Sequence, residues 1–264
     1  MEIVKQLKGL ESLYTNSRMV LSLYLSNDHS NDYQKRDIWR IHLKNGLKDI
    51  EKNIMAVGNS IEIQSFRLVK QKVEKELNEH KLQFKRGFVL FASQDKVVYK
   101  DLQVPVDNEF YWRDEPVIDP LESLYKKFPR SGIVAFNHEH AQILDVELGE
   151  VKDSQLYDLE VDQENWRKIE GRAPSSITNG KVKHHDRDRY DKRLHENMVR
   201  EFKALAHQID KTAYEKGWEG VYLAGVPDML PLLQGTLYVQ ILKTSSQNLV
   251  SKTPQQIVQE LLLK

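Results

Sequence analysis

Apolar positions along the chain switch repeatedly between two periods. MVLSLYLS (19–26) is a short apolar run ending in the polar cluster NDHSND, the pattern of a buried strand followed by a loop. In DIWRIHLKNGLKDIEKNI, Ile38, Ile41, Leu43, Leu47, Ile50 and Ile54 recur mostly at helical spacing. After the break VGNS, Phe66, Val69, Val73 and Leu77 form one stripe and predict a second helix. RGFVLFAS (86–93) and VVYKDLQV (97–104) read as two strands turned by SQDK. Residues 105–120, with three prolines and several acids, read as a linker or irregular edge. The domain boundary is placed there, giving domains 1–118 and 119–264.

The second half restarts the pattern. DPLESLYKKF predicts a helix capped by Asp119 with Pro120 at its first position. SGIVAFN (131–137) and AQILDVELG (141–149) are strands around the turn NHEH, and VKDSQLYDLEVD is a third. Residues 163–190 then read as a long polar loop holding GRAPSSITNGK. A loop of this length inside a compact domain is functional or disordered, and one this polar is expected to order only on meeting RNA. Leu194, Met198, Phe202, Leu205, Ile209 and Ala213 lie on one face of a long helix that Gly217 ends. WEGVYLAG is a central strand, PDMLPLLQ a short helix and NLVSK an edge strand. TPQQIVQELLL is a last helix, with Thr253 as cap and Pro254 at its first position. The fold class is therefore α/β (mixed α+β) in two domains, the second a mixed sheet flanked by helices.

Composition narrows the chemistry. The chain has 264 residues, 39 basic and 39 acidic side chains and no cysteine. This rules out a disulfide scaffold, a thiolate nucleophile and any metal site that needs sulfur ligands. The start, MEIVKQLKGLESLY, lacks the apolar run of a signal peptide, and no stretch approaches a membrane span. A cytoplasmic protein without membrane contact is the expectation. Zero net charge argues against a uniformly basic nucleic-acid binder but leaves room for a local patch. That patch is segment 164–193, where nine Lys/Arg face five acids, a local excess of four. A basic loop leading into a helix suits phosphate contact. A solvated loop whose charges serve solubility is the other reading.

Two histidine clusters, His138–Glu139–His140 and His184–His185–Asp186, could hold a metal or move protons. Neither has a metal-ligand spacing such as HExxH, so no metal and no cofactor is assigned. GxSxG, the phosphate-binding GxxxxGK[ST] and a strand-linked GxGxxG are all missing. Ser175 and Ser176 have no evident triad partners. LAGVP (223–227) ends a strand at a glycine, which makes a turn or opens an anion-holding helix N-terminus. Tyr111, Trp112 and Trp166 read as edge or core packing more readily than as base-stacking platforms.

Taken as an ordered set, VLSLYLS, IHLKNGLK, RGFVLFAS, LESLYKKFPRSGIVAFNHEHAQILDVELGEV, the basic loop, RLHENMVREFKALAHQIDKTA and WEGVYLAGVPDML resemble the archaeo-eukaryotic class-1 release factor superfamily. More narrowly, they are similar to its bacterial branch, the VLRF-type, release-factor-like ribosome rescue proteins. The likeness lies in collinearity along nearly the whole chain. It implies a middle-domain fold for the second half, with a loop that reaches the peptidyl-transferase centre of the large ribosomal subunit. There a Gly-Gly-Gln tip helps water hydrolyse the ester joining peptide to tRNA. Glycines permit close approach, and an amide orients water or the leaving oxygen.

The matching loop is 163–190. It has no Gly-Gly-Gln, and no glutamine lies between Gln163 and Gln208. The nearest analogue is Asn179-Gly180-Lys181. The resemblance thus implies Asn179, Gly180, Lys181, His184 and His185 as catalytic candidates. Arg172, Lys181, Lys183, Arg187, Arg189, Lys192 and Arg193 would be contacts to tRNA and ribosomal RNA. Some family members without the tripeptide hydrolyse through other loop residues, while Balon-type hibernation factors occupy the ribosome without hydrolysis. The stop-codon-reading Asn-Ile-Lys-Ser is absent, so termination at stop codons is not expected. The GTPase-engaging third domain is missing too, and no GTPase partner is indicated. Rescue by ester hydrolysis, non-catalytic ribosome occupation, and an RNA-binding role away from the ribosome stay open at this point.

Overall fold

A computed structural model describes residues 10, 13, 19–27, 38–57, 60–80, 85–160, 165–169 and 187–263. Side chains are described in these segments except at His80 and residues 159–198. The chain divides into two compact units, residues 1–127 and 128–264. The boundary read from the sequence, at 118/119, differs from this division by the nine residues of one helix.

The first unit is built on four antiparallel strands: β1 (Val20–Ser26), β2 (Gly87–Ala92), β3 (Val97–Leu102) and β4 (Glu109–Arg113). Their order is β3-β2-β1-β4. Helices α1 (Ile38–Val57) and α2 (Ser60–His80) cover one face. The stripe Trp39, Leu43, Leu47 and Ile54 on α1, and Phe66, Val69, Val73 and Leu77 on α2, is buried against Leu21, Leu23 and Leu25 of β1. Because β1 is covered on both faces, its residues 20–25 are all buried, which is why it lacks polar alternation.

Segment 105–120, expected as a linker or irregular edge, contains the edge strand β4, paired with β1. Its prolines 105 and 116 lie outside the strand, where no ladder donor is lost. The segment is tied down by β1 itself: Tyr24 Oη donates to the Val117 carbonyl at 2.7 Å, and the Val117 amide donates to Ser22 Oγ at 3.0 Å. Helix α3 (Asp119–Lys127) follows. It starts at Asp119, which sits in the first turn rather than ahead of it as a cap.

The second unit holds a six-stranded mixed sheet: β5 (Ser131–Phe136), β6 (His140–Glu147), β7 (Glu150–Glu160), β8 (Asn165–Ile169), β9 (Gly220–Gly225) and β10 (Ile241–Ser245). The order is β10-β9-β5-β6-β7-β8. β10, β9 and β5 are parallel; β5 to β8 form an antiparallel meander. Helices α4 (Arg187–Lys216) and α5 (Leu230–Gln234) cover one face through Phe202, Leu205, Ile209, Ala213 and Leu233. Helix α6 (Pro254–Leu262) covers the other with Ile257, Val258 and Leu261. The chain is thus a mixed α/β protein, and its second sheet is flanked by helices on both faces.

Two expectations are corrected. The long loop contains β8, paired to β7, and gives way to α4 at Arg187. NLVSK is not a strand; the edge is β10, and Leu249 instead turns inward to the α6 core. Local signals explain the other termini. Gly217, at φ 67°, closes α4 with the Trp218 amide on the Ala213 carbonyl and its own amide on the Tyr214 carbonyl, a Schellman motif. Thr253 and Gln256 form a reciprocal capping box on α6.

Candidate functional site

The site is built on the end of the second sheet where β5 finishes, β6 begins and β9 finishes. β5 and β9 are parallel neighbours whose outgoing connections diverge, one to β6 and one through α5 to β10. Such a reversal of strand order opens a crevice at the carboxyl ends of the strands.

Two imidazole–carboxylate pairs stand there. His138, in the β5–β6 turn, lies 2.7 Å from Asp228 through Nε2, and Asp228 follows β9. This contact holds the Asp228 carboxyl below the ordinary aspartate range. His140, the first residue of β6, lies 2.5 Å from Asp158 through Nδ1. It pairs with Asp158 across the β6–β7 ladder. The turn is set by Asn137, whose side-chain oxygen accepts from the amides of Glu139 and His140 at 2.9 and 2.7 Å, while its own amide donates to the His140 carbonyl. A carboxylate on one ring nitrogen fixes the imidazole's tautomer and orientation and leaves the other for proton transfer or an anion. Among the described residues no three His, Asp or Glu side chains converge as a metal requires.

The His140–Asp158 pair lies beside β8, where the basic segment begins. Asp158 is in register with Arg167 of β8, and β8 ends two residues later at Ile169, opposite Leu156. Residues 170–186 lie outside the described residues, so Arg172, Asn179, Gly180, Lys181, Lys183, His184 and His185 are not located. Arg187, Arg189, Lys192 and Arg193 fall in the first two turns of α4. Phe202 of that helix packs edge-on to Phe136 at 5.7 Å. Arg187 stands 15 residues earlier, about 22 Å along the axis.

The structure therefore places His138 and His140 on separate carboxylates. Sequence reasoning missed Asp158 and Asp228 because they are 18 and 90 residues away from their partners. Only the strand pairing brings them in. Of the aromatic residues, Trp112 donates to Glu62 at 3.1 Å and packs edge-on to Phe66 at 5.1 Å. Tyr111 donates to Glu109. Both are packing residues. The Trp166 side chain lies outside the described residues.

A buried anchor holds the opposite end of β5. Asp145 takes two hydrogen bonds from Arg130, at 2.8 and 3.2 Å, and one from Trp218 Nε1 at 2.8 Å. Asp145 raises the Arg130 pKa above its ordinary value. The Trp218 ring lies on Gly132, where a Cβ would come within 2.2 Å of it. The glycine is required by close approach.

Residues 129–263 match the family model of bacterial archaeo-eukaryotic release factor family 5. The match spans almost the whole second unit. The uncharacterized protein YocB of Bacillus subtilis (strain 168) is 26% identical over 245 residues, covering 92% of this chain and 91% of YocB. Two solved structures overlap loosely: the archaeal translation termination factor aRF1, at 17% identity with TM-score 0.33, and one described as an archaeal protein, at 16% with 0.35. Each covers 98% of this chain and 72% of its own. Likeness at that level carries no structural argument.

Proposed function

Because the chain belongs to bacterial archaeo-eukaryotic release factor family 5, we propose that it is a cytoplasmic, ribosome-associated protein that promotes hydrolysis of the peptidyl-tRNA ester on stalled ribosomes or large subunits. The observation that carries this reading is the basic segment 164–193, which runs from β8 into the first turns of α4, inside the family-matched residues. We assign the chemistry to the domain 119–264. Asn179-Gly180-Lys181 forms the tip at the tRNA 3′ end, where glycine allows close approach and the Asn179 amide orients the attacking water. His184 and His185 are the acid–base groups beside it. Arg172, Lys181, Lys183, Arg187, Arg189, Lys192 and Arg193 neutralise phosphates of tRNA and ribosomal RNA. Ribosomal RNA supplies the rest of the active site.

The missing Gly-Gly-Gln favours a second reading. In it the same loop occupies the peptidyl-transferase centre without chemistry and protects an idle ribosome. Peptide release from purified ribosome-bound peptidyl-tRNA separates the two. Release that Asn179→Ala abolishes while co-sedimentation with ribosomes persists supports the hydrolase. Stoichiometric co-sedimentation without release supports the occupying factor. If Lys181→Ala with Lys183→Ala leaves ribosome association untouched, the ribosomal reading is wrong.

A further inference from the structure

Among the residues whose side chains are described, the solvent-facing side of α4 takes no part in the core. Its core stripe runs Phe202, Leu205, Ala206, Ile209 and Ala213. Opposite it, at steps of three or four, stand Arg200, Lys203, His207, Lys211 and Tyr214, all exposed. This row is about 21 Å long. In the sequence the same spacing continues back through Arg193 and Arg189, with one acid, Glu196.

Of the acids near the row, Glu201 and Glu215 pair with its Arg200 and Lys211, and Asp210 is committed elsewhere. Glu201 is buried and contacts Arg200. Asp210 accepts from the amides of Tyr238 and Val239 at 2.9–3.2 Å. Among the α4 residues whose side chains are described, Glu215 is the one exposed acid, 3.9 Å from Lys211. Asp210 thereby ties the Tyr238 backbone to α4 one helical turn before Tyr214. The two tyrosines are 90% and 95% exposed. Large aromatic rings held in water by a buried-side scaffold bring no packing to this chain.

We propose that this face of α4 is an RNA-binding surface, with phosphates along Arg200, Lys203, His207 and Lys211 and unpaired bases stacked on Tyr214 and Tyr238. Cations in a row track a phosphate backbone without reading sequence, and aromatic faces accept any base. An acidic protein would engage the cations but gives no reason for two splayed tyrosines. The inference rests on the ribosomal reading for its biological setting only. Its test uses neither ribosomes nor loop variants, so either can fail alone.

The test is fluorescence anisotropy of a short, labelled, mixed-sequence single-stranded RNA titrated with the full chain across a series of KCl concentrations. Lys203→Ala with Lys211→Ala should lower the slope of log K against log salt by about 1.4. Tyr214→Ala with Tyr238→Ala should weaken binding about tenfold or more with the slope unchanged. Asp210→Ala is the sharpest arm. It removes a negative charge, so a purely electrostatic surface would bind RNA more tightly; loosening Tyr238 makes it bind more weakly. All these positions are exposed or half-exposed, and circular dichroism of each variant confirms folding. No binding by the unaltered chain, or wild-type affinity and slope in both double variants, overturns the proposal. Tighter binding by Asp210→Ala overturns the role given to Tyr238.

Discussion

At the scale of single residues, Asp145 and the two histidines set the sharpest expectations. Asp145→Ala strands the Arg130 guanidinium and the Trp218 indole N–H, which together donate three hydrogen bonds to the carboxylate. Arg130 is partly exposed and recovers some solvation, so the expected loss is about 2–3 kcal/mol, read by chemical denaturation. Asp228 offers a pH test. Its folded carboxyl is lowered by the hydrogen bond from His138. The contribution of this pair is thus present above the ordinary aspartate pKa and is lost as pH falls through the lowered value. NMR titration should find Asp228 below the ordinary value, and His138→Ala should return it there. A normal Asp228 in the unaltered chain would contradict the geometry. His138 and His140 were visible as a cluster in the sequence, but their carboxylates were not: nothing local in residues 158 and 228 marks them as partners of a turn at 137–140.

Among elements, the pattern of successes has one physical cause. Helices α1, α2, α4 and α6 were legible because each buries a stripe at helical period, and α3 through Asp119 and Pro120 at its start. The inner strands β1, β2, β5, β6 and β9 were legible because they are mostly apolar, and β7 because it alternates roughly. The three strands that sequence reasoning missed, β4, β8 and β10, are all sheet edges. An edge strand has one neighbour and is half solvated, so EFYWR, NWRKI and ILKTS carry no clean alternation. The remaining edge, β3, was found only through its tight turn to β2, where Ser93 Oγ accepts from the amides of Asp95 and Lys96. The terminal helix shows how much a local signal is worth. Thr253→Ala removes the side-chain half of the capping box on α6. It should cost about 1 kcal/mol in denaturation experiments, with Thr253→Ser nearly silent.

For the molecule as a whole, net charge is zero, so attraction to RNA is local rather than global. Co-sedimentation with ribosomes should therefore fall steeply with salt, and neutralising three cations of 164–193, Lys181, Lys183 and Arg187, should flatten that dependence by about 2–3 in the log–log slope. Three substitutions to alanine at surface lysines elsewhere, Lys72, Lys75 and Lys96, should leave it unchanged. Family, fold class and the general place of the basic segment were legible because they depend on order and composition. The identity of residues that meet across the second sheet was not, because a register is a long-range fact.

The parallel pairing of β5 with β9 also has a consequence for synthesis. β5, β6 and β7 pair with immediate neighbours in the chain and can form as they emerge. The other side of β5 waits for β9, and the contact between their ends joins residues 90 apart. Until Gly220–Gly225 has left the exit tunnel, the strand SGIVAF presents an open, largely apolar edge. A nascent chain stalled between β8 and β9 is therefore the most aggregation-prone form of this protein, and a chain truncated before Trp218 should be insoluble even with every residue of the basic segment in place.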